Sequence, residues 1–269
     1  MIPGRGIALA LTMLVIAILV IVPLSAIIVT MAGITPQGFI AIAFSPRALA
    51  AYRLSGLTAL AASAFDVVVG VWLASVLVRE RSVAGRILNA LVDVPFAVPT
   101  AVTGITLVTL YGPHGWLGPV LARAGITVVF TPLGIGFALA FVGLPFIVRT
   151  VQPVIAALPR EFTEAASSLG ASRWTILRRI TLPLLAPAML TGFALALART
   201  LGEYGSVIFI AGNVPFKTEI VPLIIVTRLE EYDYIGAAAV ATVSLVASFL
   251  LLLAINALQR RLISQRVAE

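Results

Sequence analysis

Apolar residues in this chain come in long uninterrupted runs, not in the three-to-four-residue spacing of a soluble helix face. A bilayer crossing needs about 20 apolar residues, and six stretches approach that length: about residues 7–32, 56–78, 88–110, 132–157, 184–210 and 235–258. The pattern predicts an all-α polytopic membrane protein, one transmembrane domain over residues 1–269. The first run, Ile7–Ala32, could also be read as a cleavable leader. A leader's apolar region covers only about 7–15 residues, so a retained span is expected. Pro95 and Pro99 break the third run, Pro145 lies inside the fourth, and Ile220–Val226 is too short to cross. Thr35–Ser55, with Pro36, Pro46, Arg47 and Arg53, reads as a loop carrying a short surface helix around Ala48–Tyr52. Tyr111–Thr131 reads as a second loop, with a short helix at Leu117–Ala124.

One interruption is different. Residues 158–183 hold six charged side chains, Arg160, Glu161, Glu164, Arg173, Arg178 and Arg179, between two apolar runs. Pro159 suits a first helical position, and Glu161 and Glu164 are expected in the first turn, where the helix dipole favours negative charge. Gly170 stops that helix. Ser172 can cap a second one through Trp174, Leu177 and Ile180, ending before Pro183. The stretch reads as a helical hairpin between two spans.

Composition agrees with the pattern: 61% of the 269 residues are hydrophobic and 11% charged. The net charge of +7 would suggest nucleic acid in a soluble protein. Here its distribution explains it, and no nucleic acid partner is expected. With the N-terminus inside, Arg5, Arg79, Arg81, Arg86, Arg149, Arg160, Arg173, Arg178, Arg179, Arg260, Arg261 and Arg266 are cytoplasmic. Arg47, Arg53, Arg123, Lys217 and Arg228 are outside, and Arg199 is within a span. Twelve cations against five place both termini and the hairpin in the cytoplasm. The chain has no cysteine, which excludes disulfides and thiolate chemistry.

Candidate chemistry is sparse. The nearest approach to a phosphate-binding loop, Ala211–Thr218, has Ala211 and Phe216 where glycine must let the backbone wrap phosphates. Lys217 is the sole lysine, so nucleotide must bind another subunit. Asp66, Arg199 and Glu203 fall inside spans, where ionisable groups face a partner or a wet path. Arg199 and Glu203, four residues apart, either form a structural ion pair or line an anion path. All three together sum to −1, a poor bare site for a dianion, so hydroxyls and amides near Thr100, Thr103, Gly202, Gly205 and Ser206 are alternative contacts. The prolines are expected to kink their helices, and Gly192, Gly202 and Gly205 to allow close helix packing. His114 is alone in a loop, which argues against a metal site, and Trp72, Trp116 and Trp174 read as core or interfacial anchors. No constellation suggests an enzyme.

Glu164-Ala165-Ala166, three residues, Gly170, nine residues, then Ile180-Thr181-Leu182-Pro183 resembles the EAA signature of binding-protein-dependent ABC importer permeases at every fixed position. Asp93–Trp116 and Ala198–Pro215 look like the sulfate/molybdate branch, closest to its sulfate permease T/U subunits, and the resemblance runs from about Leu57 to the C-terminus. It implies a type I importer fold in a bacterial plasma (inner) membrane, with six transmembrane helices and a cytosolic coupling helix. Glu161, Glu164, Ala165, Ala166, Gly170, Ile180 and Pro183 would then serve ATPase coupling. The partners implied are cytosolic ABC ATPase subunits carrying ATP and magnesium, a second permease subunit, an extracytoplasmic sulfate-binding protein and membrane lipid. No cofactor is implied on this chain. The cargo implied is sulfate, with thiosulfate as companion; molybdate or tungstate, in a pair of identical permeases, is the alternative. A secondary anion transporter or channel would need its own coupling residues.

Overall fold

The computed structural model describes residues 5–80 and 82–267. Arg81 lies outside the described residues, as do the side chains of Arg5, Arg160, Arg260, Arg261 and Arg266. The first span is α1 (Arg5–Ile16), a π turn at Ala17–Ile21, and α2 (Val22–Thr30). The wide turn comes immediately before Pro23, which enters α2 where its missing N–H is harmless.

The expected loop at Thr35–Ser55 is instead helical: α3 spans Pro36–Ala43 and α4 runs unbroken over Pro46–Arg79. The prolines taken as breakers open helices. Thr35 Oγ1 accepts from Gly38 N at 3.1 Å and Ser45 Oγ from Ala48 N at 3.4 Å, so each proline follows a capping hydroxyl.

The third expected span is cut into α5 (Val83–Val92), α6 (Val94–Ala97) and α7 (Thr100–Tyr111), divided at Asp93 and before Pro99 as the prolines foretold. A short α8 (Gly118–Arg123) precedes α9 (Pro132–Ala157), which keeps the expected bounds although Pro145 and Pro153 lie inside it. The hairpin supplies α10 (Arg160–Ser168) and α11 (Arg173–Ile176), then a π turn at Leu177–Thr181 and α12 (Leu182–Leu201). The fifth span thus stops earlier than expected, and α13 (Gly205–Ala211) continues after a break. Finally α14 (Val221–Glu230) is the short apolar run, and α15 (Tyr234–Val267) the last span. Among the described residues, five helices are long and apolar enough to cross a membrane.

The core is built on α4, α9 and α12. Ala74 and Leu77, Ile147, Val148 and Val151, and Leu185 and Ala188 bury one cluster between them. Small residues set the spacing: a Cβ on Gly70 would lie 2.7 Å from Ile147 Cγ2, and one on Gly192 3.1 Å from Ile147 Cα. Ile147 is therefore held between two glycines, the close approach that helices in lipid require. A second cluster joins the other halves of these helices to Val207, Ile210 and Leu223 of α13 and α14. The first span meets the rest through α2 against α15, and none of its apolar window is buried.

Candidate functional site

Two sites follow from these elements, the charged hairpin and the break between α12 and α13. In the hairpin, α10 begins at Arg160, so Pro159 occupies the N-cap and Glu161 alone is in the first turn. Glu164 opens the second turn, one residue later than the dipole argument placed it. The helix closes as expected: Gly170 has φ +78°, Ala171 N donates to Ala166 O at 3.0 Å and Gly170 N to Ser167 O at 3.0 Å. Only a residue free to enter the left-handed region closes both bonds. Ser172 Oγ accepts from Thr175 N at 3.2 Å, which starts α11.

The second helix does not end before Pro183. It continues through the π turn, with Leu182 N bonded to Leu177 O, into α12. The wider turn makes room for the proline ring, and Pro183 has no N–H to leave unpaired. Glu161, Glu164, Ala165 and Gly170 are exposed, while Ile180 and Pro183 lie half-buried at the root of the span. The hairpin also exposes Phe162, Leu169 and Trp174.

At the break, α12 ends at Leu201 and the chain turns through Gly202, Glu203 and Tyr204. Glu203 is buried and satisfied on both oxygens. Oε2 lies 2.6 Å from Arg199 Nη1, and Oε1 accepts Ser206 N at 3.0 Å and Ser206 Oγ at 2.9 Å. The carboxylate therefore pairs with the guanidinium and also holds the first turn of α13. Close packing brings α7 against the same place: a Cβ on Gly104 would lie 2.5 Å from Ser206 O, and one on Gly205 would strike Thr100 Oγ1. Thr100, Arg199, Glu203 and Ser206 are thus brought to one junction, with Thr103 buried beside Gly104 on α7.

Asp66 is not at this junction. It sits where α4, α9 and α12 meet, 1% exposed, with no hydrogen-bond partner on either oxygen among the described residues. A Cβ on Gly143 would collide with Asp66 Oδ2 and lie 3.4 Å from Thr200 Cγ2. The three intramembrane charges therefore divide into a neutral pair and a separate carboxyl group, which removes the −1 sum from the candidate path.

Other charges also find partners at long range. Arg149, read as a cytosolic cation, donates Nε to Asp93 Oδ1 at 2.7 Å and Nη2 to Asp93 Oδ2 at 2.6 Å. Its remaining N–H groups reach Asn89 Oδ1, Asn89 O and Gln152 Oε1, all within 2.8 Å. All five guanidinium donors are used, and they fix the joint between α5 and α6 to α9. Arg47 forms a similar two-pronged contact with buried Glu219, at 2.8 and 2.6 Å. These partners are 56 and 172 residues apart, too far for spacing to reveal. The one sequence signal was an acid, Asp93, set just ahead of Pro95 and Pro99 in an apolar run.

Residues 66–265 match the model of the family described as "Binding-protein-dependent transport system inner membrane component". The chain is 45% identical over 259 residues to the sulfate transport system permease protein CysT of Escherichia coli (strain K12), covering 96% of this chain and 94% of the relative. It is 44% identical over 249 residues to the protein of the same name from Synechocystis sp., covering 93% and 87% of the two chains. A solved bacterial ABC transporter involved in the import of the acidic polysaccharide alginate superposes with a TM-score of 0.78, at 18% identity, over 95% of this chain and 94% of its own. That likeness extends the agreement to the fold, a type I importer permease. The broken third span, the capped hairpin and the match over most of the chain converge: the protein belongs to the binding-protein-dependent inner membrane permeases.

Proposed function

We propose that the chain is the transmembrane permease subunit of an ATP-driven importer of sulfate, and of thiosulfate with it. The observation that carries this reading is the 45% identity over 96% of the chain to a permease named for sulfate. ATP and magnesium are bound by separate ATPase subunits, which seat the exposed face of α10 around Glu161, Glu164, Ala165 and Ala166. Gly170, Ile180 and Pro183 transmit its movement to α12. A second, similar but non-identical permease chain completes the pore, and an extracytoplasmic binding protein delivers the anion. Both termini lie in the cytoplasm.

The anion passes the junction of α7 and α13. Ser206 has both donors committed to Glu203, so it holds that carboxylate in place and is not itself a ligand for cargo. Arg199, with 37% of its side chain exposed, and the Thr100 hydroxyl are the groups that meet the oxyanion, and their weak contacts suit a path that must release it. Competition against labelled sulfate uptake tests the cargo. Thiosulfate in excess is expected to abolish uptake while molybdate and tungstate leave it unchanged; the opposite order would assign the chain to molybdate.

A further inference from the structure

Four arginines of the described residues, Arg47, Arg149, Arg199 and Arg228, each reach a carboxylate. Arg79 and Arg173 have no such partner among the described residues, yet they line one cleft of about 720 Å³ between α4, the hairpin and the start of α12. Along α4 the cleft is lined by Val71 and by a stripe of four residues, Val68, Trp72, Ser75 and Arg79. They are spaced i, i+4, i+7 and i+11 and cover about 16 Å of helix. The order is apolar, amphipathic, hydroxyl, cation. It follows the profile of a phospholipid from acyl chain to phosphate. Trp72 is 66% exposed at the mouth, as an interfacial tryptophan is. Opposite, Leu182 and Leu185 continue the apolar wall, and Arg173 brings the second cation.

The hairpin presents a particular side to this cleft. Thr163 and Ser167 of α10 line it, one turn apart. Glu161, Ala165 and Ser168 lie on the opposite side of the same helix, exposed, and remain free for a cytosolic subunit. The cleft is therefore on the membrane side of the hairpin.

We propose that this cleft binds an anionic phospholipid, its phosphate between Arg79 and Arg173 and its acyl chain against Val68 and Trp72. The lipid fills the space between α4 and the hairpin and braces α10 from behind. Two cations at the headgroup level favour an anionic phosphodiester over a zwitterionic one. The apolar wall continuous with the lipid-facing side of α4 favours a lipid over a free anion. Placing the cleft in the cytoplasmic leaflet rests on the orientation proposed above; binding in symmetric vesicles does not.

The test uses the full chain with Trp116→Phe and Trp174→Phe, so that Trp72 is the sole indole, in phosphatidylcholine vesicles. Brominated phosphatidylglycerol is expected to half-quench Trp72 at a mole fraction roughly tenfold lower than brominated phosphatidylcholine. Arg79→Gln with Arg173→Gln should bring the two lipids to parity. Arg178→Gln with Arg179→Gln, which removes the same charge outside the cleft, should keep the preference. Equal quenching by both lipids overturns the proposal, as does an equal loss in the control pair. So does displacement of the lipid by inorganic phosphate, which would mark a free-anion site, or by an added ATPase subunit, which would mark a protein contact. The readout needs neither sulfate nor ATP, so it stands or falls apart from the cargo.

Discussion

At the scale of single residues, Glu203 carries the greatest structural burden. It pairs with Arg199 and accepts both donors of Ser206. Glu203→Ala leaves a guanidinium and a helix N–H without their acceptor, a loss of about 1–3 kcal/mol, at the lower end because Arg199 is partly exposed. A lower melting temperature in detergent together with impaired uptake is the expected outcome; an unchanged transition would show that the junction is held by packing alone. Asp66 and Gly143 give a second case. Gly143→Ala drives a methyl group into the Asp66 carboxyl and should lower thermal stability, whereas the same change in an Asp66→Ala background should be nearly neutral. Additive effects in that cycle would place the two side chains out of contact. Residue types were legible in the sequence here, but pairings only partly. Arg199 and Glu203 lie four apart on a helical spacing and could be paired by counting. Asp93 with Arg149, and Glu219 with Arg47, meet only through the fold.

At the scale of elements, prolines were the main source of both success and error. Pro95 and Pro99 break the third span as expected, and Pro132 opens α9. Pro36 and Pro46 were read as loop residues although Thr35 and Ser45 stand ahead of them as caps; the same residue type that stops a helix also starts one. Pro23 and Pro183 each follow a π turn, a device that has no signature in hydropathy. The closure of α10 was legible because glycine at the left-handed position has a backbone reason. Gly170 has open space where a side chain would go, so substitutions there act through φ alone. Gly170→Asn should be tolerated, Gly170→Ala should weaken coupling, and Gly170→Val, costing about 1–3 kcal/mol of backbone strain, should uncouple ATP hydrolysis from uptake while the chain remains inserted. Comparing ATPase rate with uptake in the three variants checks this, and equal coupling in all three would remove the hairpin from the transmission route.

At the scale of the whole molecule, hydropathy placed the long helices because the bilayer demands apolar length and little else. What it missed is how the helices pack. The first span and much of α15 leave large apolar side chains uncovered, among them Leu19, Ile28, Phe249 and Leu250. Lipid and a second permease chain are the environment that would cover them. The exposed hairpin supports the proposal that this subunit takes its energy from others. The most direct test reconstitutes the chain in vesicles, alone and with its permease partner, ATPase subunits and binding protein, and follows labelled sulfate. Accumulation is predicted only in the complete assembly and only with ATP and binding protein present. Sulfate flux through the chain alone, without ATP, would contradict the account.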